Sequence, residues 1–141
     1  SFLIVRYDIH CMNLLEVHLQ KARKNMREIN IGTKRFTNVV SLDEKGQGGA
    51  RHAYEVKSVQ GKRVFAKVNF QNGPVKEHGI NGCHQEDLLA IVIDRLQCFQ
   101  NGDFKCRENA IAITKLEEAM LWLNKRTNDR IARGVEGTNI K

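Results

Sequence analysis

Three polar residues interrupt the apolar stripe of a predicted helix over about residues 105–132. Asn109 lies near its start, and Arg126 and Arg130 lie one turn apart near its end. Guanidinium groups at that spacing point the same way and can bind a phosphate or pyrophosphate in bidentate fashion. A buried, unpaired amide would cost about 1–3 kcal/mol, so Asn109 needs a partner. The pattern is compatible with an anion site. Composition alone favours the alternative, in which Asn109 caps the turn and the arginines are solvated or paired with Asp129 and Glu118.

An aromatic residue, Phe99, ends the apolar stripe of the preceding predicted helix, where a ring is either half exposed and able to stack or part of the core. Asn109 and Arg126 are 17 residues apart on one helix, or about 25 Å at a rise of 1.5 Å per residue. One chain therefore cannot bring both to one small ligand. Two chains with antiparallel long helices can, and a two-fold axis then gives two equivalent sites per dimer.

Two amphipathic helices with a short connection position these residues. The first helix, 85–99, has a single apolar face formed by Leu88, Leu89, Val92, Leu96 and Phe99. The stripe of the second helix alternates spacings of three and four: Cys106, Asn109, Ile113, Leu116, Met120, Leu123, Arg126 and Arg130. Gly102 is suited to a left-handed cap of the first helix, and Asp103 to capping the second. A connection this short predicts an antiparallel helical hairpin.

The N-terminal half changes from helical to strand periodicity. A helical stripe covers 12–29, with a basic opposite face that is either solvated or a nucleic-acid contact. Alternation with a period of two predicts strands at 34–40, 51–59 and 62–70. Gln60 and Gly61 supply the turn of a hairpin. The Gly-rich segment 45–49 is not followed by a helix start, so we expect a plain loop and not a phosphate-binding loop.

These elements predict an α+β fold in a single domain, 1–141. An N-terminal helix and a small antiparallel sheet occupy 12–72, and the helical hairpin and a tail occupy 73–141. Residues 1–11 precede a possible initiator at Met12. We assign them no function and interpret them as a leader or vector-derived segment.

Composition and charge define the class of partner. The 23 Lys and Arg against 16 Asp and Glu give a net charge of +7, which favours a nucleic acid, a phosphorylated small molecule or an acidic surface as the partner.

The longest apolar stretches, such as 88–93, are too short to span a membrane, and no secretory signal pattern is visible. Cys11, Cys83, Cys98 and Cys106 lack paired spacing, so reduced thiols are expected, with Cys98 and Cys106 in the core. The sequence predicts a soluble, cytoplasmic protein.

Catalytic patterns are weak in this sequence. The five histidines show neither HxxxH nor HExxH spacing and form no Cys/His metal motif. Glu117 and Glu118 fall on adjacent helix faces, which does not suit a general acid and base pair. We therefore predict a protein that is not an enzyme and that carries no metal and no cofactor.

The hairpin region contains a specific series of motifs: Asn81–Cys83, Asp94–Gln100, Cys106–Ala119, Trp122–Leu123, Arg126–Thr127 and Arg133–Thr138. Together they resemble the phage Thoeris anti-defence sponge family, whose helical hairpin is shared with the smaller anti-CBASS nucleotide sponges. The resemblance covers about residues 64–138. It implies a non-enzymatic binder that captures glycocyclic ADP-ribose, the signalling nucleotide made by the host's TIR-domain protein, before that nucleotide activates the defence effector.

Family binding residues of the types Phe, Asn, Arg and Arg fall on the positions that the interrupted stripes single out. The resemblance implies that Phe99 stacks on adenine and that Asn109 bonds the base or ribose. It also implies that Arg126 and Arg130 neutralise the pyrophosphate.

The resemblance also implies the partners: the signalling nucleotide and a second copy in a homodimer or larger assembly, without membrane, in the cytoplasm of the infected host. Some relatives bind cyclic dinucleotides or trinucleotides at a separate oligomer site, for which Arg107 and the basic N-terminal helix are candidates. Two alternatives stay open: a sponge for cyclic oligonucleotides of CBASS-type immunity, and a basic nucleic-acid-binding module. The second is disfavoured because the basic face of 12–29 lacks interleaved aromatic residues.

Overall fold

The computed structural model describes residues 8–32 and 34–141; the side chains at 8–12 and 22–25 lie outside that description. Residues 1–7, most of the predicted leader segment, also lie outside it. The chain divides into two compact units, one up to Asn69 and one from Phe70. The element order, an N-terminal helix, a four-stranded antiparallel sheet and C-terminal helices, confirms the predicted α+β class.

Helix α1 covers Asp8–Asn25 and therefore lies one turn earlier than the predicted 12–29. The helix cannot continue to residue 29 because Arg27–Glu28 forms the short strand β1, which pairs with the next strand. The N–H of Ile29 then donates to the carbonyl of Val39, 2.8 Å away. The end of the predicted stripe thus belongs to the sheet.

The sheet contains β1 and three longer strands in the order of the sequence, all antiparallel. Its other strands are β2 (Thr37–Ser41), β3 (Ala53–Ser58) and β4 (Val64–Asn69). They confirm the three predicted strands: β3 and β4 are shorter at both ends, and β2 begins three residues later and ends one residue later than predicted. Val40 and Ser41 are its buried residues, and Ser41 Oγ donates to the carbonyl of Arg27 at 3.3 Å. Among the described residues of this unit, burial is therefore greatest at the C-terminal end of β2.

The connection from β2 to β3 is an ordered loop. Residues Gln47–Gly49 form one turn of 3₁₀ helix inside the segment predicted as a plain loop. The carboxylate of Asp43 accepts hydrogen bonds from the backbone N–H groups of His52 at 2.8 Å and Ala53 at 3.2 Å. This carboxylate closes the loop and fixes the start of β3.

The second unit begins with an irregular segment, 70–84, that contains the short helix α2, Val75–His78. The side chains of Gln71 and Asn81 bridge the two halves of this segment through hydrogen bonds to backbone groups. Gly73 has a φ of +85°, and a Cβ atom there would lie 2.3 Å from Cδ2 of the His78 ring. Glycine is thus required at this position by both the backbone and the neighbouring imidazole.

The predicted helical hairpin is present as α3 (Gln85–Gln100) and α4 (Arg107–Ala132), which pack against each other. Two predictions about the turn of the hairpin, the caps at Gly102 and Asp103, are wrong. Gly102 is absent from the glycines with positive φ, and the C-cap Asn101 has right-handed helical angles. The N-cap of α4 is Cys106 and not Asp103, because the Cys106 sulfur accepts from the N–H of Asn109 at 3.4 Å. Cys98 and Cys106 are exposed, so the expectation that they are core residues was also wrong.

The less exposed face of α4 differs from the predicted stripe at one position. It passes from Leu123 through Thr127 to Arg130, whereas Arg126 is exposed. In α3, Ile93 lies on the less exposed face where Val92 was predicted. None of the residues of α3 or α4 is buried, so two helices alone leave their shared apolar surface partly in water.

Candidate functional site

The end of α3 contains the predicted aromatic residue, Phe99, with two neighbours that the sequence analysis missed. Phe99 is half-buried, and the guanidinium carbon of Arg95 lies 5.0 Å from its ring centroid. Phe104, in the connection to α4, places its ring centroid 6.4 Å from that of Phe99 with an angle of 83° between the planes. The spacing of four between Arg95 and Phe99 was the available signal, since such residues share a helix face.

Asn109 lies in the first turn of α4 and is half-buried. Its backbone N–H is bonded to Cys106 Sγ, but its side-chain amide has no hydrogen bond within the described part of the chain. The amide therefore does not cap the turn, as the alternative interpretation required. It remains available to a ligand or a second chain at the same end of the hairpin as Phe99.

Arg126 is exposed and makes no ion pair with any residue in the described ranges 8–32 and 34–141. Two carboxylates of the same helix, Asp129 and Glu118, pair with lysines and not with Arg126. Asp129 pairs with Lys125 at 2.5 Å, and Glu118 pairs with Lys115 at 3.6 Å. The guanidinium of Arg126 is thus an available cation near the end of α4.

Arg130 binds the tail that follows α4. Its side chain is 12% exposed, and Nε donates to Glu136 Oε2 at 2.9 Å. Its Nη atoms donate to three backbone carbonyls, those of Val135, Thr138 and Ile140, each at 2.9 Å. Four of the five N–H groups of the guanidinium are therefore used inside the chain. In this structure the guanidinium of Arg130 is bonded to the tail, whereas that of Arg126 is exposed.

Arg107 is the first residue of α4 and is exposed. It lies at the same end of the hairpin as Phe99 and Asn109, whereas Arg126 and Arg130 lie at the other end of α4. The 17 residues from Asn109 to Arg126 span about 25 Å of continuous helix. Within one chain the candidate residues thus form two separate groups.

Two kinds of feature are absent from the described residues. No group of three or more His, Cys, Asp and Glu side chains there could hold a metal ion. Among the described helices, none combines the length and the apolar character that crossing a membrane requires.

Comparisons with known proteins agree with this fold. The model of a protein family described as Acb2/Tad1, hairpin domain, matches residues 62–128, a stretch that includes Phe99, Arg107, Asn109 and Arg126. This class is defined by the hairpin formed here by α3 and α4.

One relative is a protein of Bacillus phage SBSphiJ7 named "Thoeris anti-defense 1". It is 62% identical over 96 residues, which cover 68% of this chain and 66% of the relative, just under two thirds of its length. These matches confirm the resemblance to the Thoeris anti-defence family inferred from the sequence motifs.

Proposed function

We propose that this protein counteracts Thoeris anti-phage defence by sequestering a cyclic ADP-ribose-type signalling nucleotide, glycocyclic ADP-ribose, in the cytoplasm of the infected bacterium. The observation that carries the proposal is the 62% identity to a Thoeris anti-defence protein over 96 residues, together with the hairpin-domain match over residues 62–128. The net charge of +7 supports an anionic ligand. In this proposal the nucleotide is bound and released unchanged, and the protein is not an enzyme.

The free polar groups of the hairpin suit the parts of such a nucleotide. The open amide of Asn109 can bond the base or ribose, and Phe99 offers an aromatic contact to adenine. Arg126 has no partner among the described residues and can bind the pyrophosphate. For Arg130, four hydrogen bonds to the tail support an indirect role, in which this side chain holds residues 135–140 beside the helix end that carries Arg126.

We propose further that the site forms between two chains, because Asn109 and Arg126 lie about 25 Å apart on one helix. Separately, the exposed face of α4 on the side away from Asn109 suits an antiparallel partner. Ile111 and Trp122 are both exposed and lie eleven residues apart, about three helical turns, so they share a face. Between them on that face lie Lys115 and Glu118. A two-fold axis that passes midway between Lys115 and Glu118 would bring Ile111 of each chain to the partner's Trp122. The same axis would bring Lys115 to the partner's Glu118.

The expected affinity is sufficient for sequestration. A ligand of about 35 non-hydrogen atoms at roughly 0.3 kcal/mol per atom reaches about −10 kcal/mol, a dissociation constant of tens of nanomolar. Capture at that affinity requires no chemical step.

Ligand recovery tests the proposal. The protein is mixed with a slight excess of glycocyclic ADP-ribose, separated from free ligand and denatured by heat. We expect intact nucleotide in the supernatant. Linearised or hydrolysed nucleotide would indicate an enzyme, and no captured nucleotide would refute the proposed ligand.

The same experiment addresses the alternatives. Parallel samples contain cyclic dinucleotides or trinucleotides, or a short DNA duplex at increasing salt. Capture of a cyclic oligonucleotide alone would favour a CBASS-type sponge, for which Arg107 is the candidate residue. Steep salt dependence of DNA binding would favour the nucleic-acid-binding module.

A further inference from the structure

Arg95, Phe99 and Phe104 form a cluster at the turn of the hairpin, which we call the aromatic corner. The two ring planes are nearly perpendicular, at 83°, with the guanidinium of Arg95 over the Phe99 ring. Edge-to-face contact at this centroid separation is favourable and fixes the relative orientation of the rings. The corner is therefore a preorganised aromatic surface and not a pair of independent side chains.

The two rings differ in how accessible they are. Phe99 is half-buried on the α3 face that packs against α4, and the exposed residue Arg95 covers part of its ring. A guanidinium that remains in contact with water lies on the solvent side of the ring, so it shields the surface of Phe99 that a ligand would meet. Phe104 is 77% exposed, which leaves its ring surface open.

We propose that Phe104 is a binding residue of the nucleotide site: the purine base stacks on the Phe104 ring and directs its edge towards Phe99. Arg95 is a positioning residue, because its guanidinium holds the Phe99 ring that in turn orients Phe104. This inference rests on the proposed function. It gives Phe104 part of the contact that the family resemblance assigns to Phe99 alone.

The surroundings of Phe104 favour a nucleotide over an apolar partner. Lys105 and Arg107 follow within three residues, are exposed, and make no ion pair within the described part of the chain. Asp103 and Glu108 are the acidic residues among 103–109, and Arg95 adds a third cation beside Phe99. The open amide of Asn109 lies in the adjacent first turn of α4. An aromatic surface next to cations and an amide matches a base that carries ribose and phosphate.

Calorimetric titration with glycocyclic ADP-ribose tests the role of Phe104. Base stacking on an aromatic side chain predicts that Phe104→Ala weakens binding about ten- to a hundredfold, whereas Phe104→Tyr, which keeps the ring, binds like the wild type. Phe36→Ala is the matched control. Phe36 is 72% exposed and has the guanidinium of Arg35 over its ring at 5.1 Å, but it lies in the first unit. We expect its replacement to leave affinity unchanged.

A second readout reports stacking directly. In protein with ¹³C-labelled phenylalanine, the ring resonances of Phe104 shift upfield on addition of the nucleotide, as expected for a base over the ring. The Phe99 ring shifts less, because it meets the base edge. Arg95→Ala should weaken binding about two- to fivefold and change the Phe99 ring resonances before ligand is added, while Arg95→Lys restores both.

Three outcomes would overturn the assignment. If the wild type binds and Phe104→Ala binds equally well, this inference fails and the proposed function stands. If Phe104→Ala loses binding because its assembly dissociates in light scattering, the ring is covered by a second copy and not by the base. If the wild type does not bind the nucleotide, the proposed function fails and the inference fails with it.

Discussion

Arg130 and Glu136 form an ion pair across the end of α4, with 2.9 Å between Nε and Oε2. The same guanidinium binds the carbonyls of Val135, Thr138 and Ile140. One side chain therefore organises the six residues from 135 to 140. This arrangement assigns different roles to two arginines that the sequence makes look equivalent, since Arg126 is exposed and Arg130 is not.

Arg130→Ala should destabilise the protein. It removes charge-assisted hydrogen bonds from a side chain that is 12% exposed and takes the guanidinium donor from the carbonyls of Thr138 and Ile140. We therefore expect the free energy of unfolding to fall by about 2–3 kcal/mol. Urea denaturation measures this change, and hydrogen exchange should show lost protection at the amides of Val135 and Thr138. Arg126→Ala is the control and should stay within about 0.5 kcal/mol of the wild type. Equal stability of both variants would mean that the tail does not depend on Arg130.

Arg126→Ala should weaken nucleotide binding without unfolding the protein. Loss of one charge-assisted contact to a pyrophosphate corresponds to about 1.5–3 kcal/mol, or a ten- to hundredfold rise in the dissociation constant. Calorimetry on the folded variant gives this value. Lys125→Ala removes a neighbouring charge that is already paired with Asp129 and should change affinity little. If the two variants behave alike, Arg126 contributes only general charge.

Trp122→Asp should dissociate the proposed dimer. Trp122 is 65% exposed in the single chain. The substitution would replace its apolar ring with a carboxylate that loses water where it meets the partner's Ile111. We expect light scattering to give twice the protomer mass of 16.1 kDa, or more, for the wild type and a shift towards one protomer for the variant. Ile80→Asp is the control, since Ile80 is 82% exposed in the same unit but outside the hairpin helices. A wild type that is monomeric at micromolar concentration would contradict the proposed assembly.

Cys106→Ser should stabilise α4. A hydroxyl is a better acceptor than a thiol for the N–H of Asn109, and serine is among the preferred N-cap residues. We expect a gain of about 0.5 kcal/mol for Cys106→Ser and a loss of similar size for Cys106→Ala, because the alanine leaves that N–H without its cap. Thermal unfolding of the three proteins decides the order. The opposite order would show that Cys106 does not act as the cap.

The sequence predicts the long elements of the fold and misses the short ones. Periodicity identifies β3, β4, α3 and α4, because each repeats its pattern over six or more residues. The two residues of β1 and the four of α2 are too short to show a period. Their positions depend on hydrogen bonds to distant segments, which residue types do not reveal.

The difference between Arg126 and Thr127 has a similar origin. From Leu123 to Arg130, a helical stripe can pass through either residue, since spacings of three then four and of four then three both fit 3.6 residues per turn. In the structure Thr127, and not Arg126, lies on the less exposed face. The role of Arg130 was hidden for another reason: three of its four acceptors are backbone carbonyls, which every residue has.

The contact between Gly73 and His78 restricts how this protein can diverge. Any side chain at position 73 would begin 2.3 Å from the imidazole, and the backbone there has a φ that disfavours other residues. A change at His78 alone would relieve the clash but not the backbone requirement. We therefore expect relatives to keep glycine at position 73. Position 78 can accept side chains of different size, so substitutions in this segment should be found at position 78 and not at position 73.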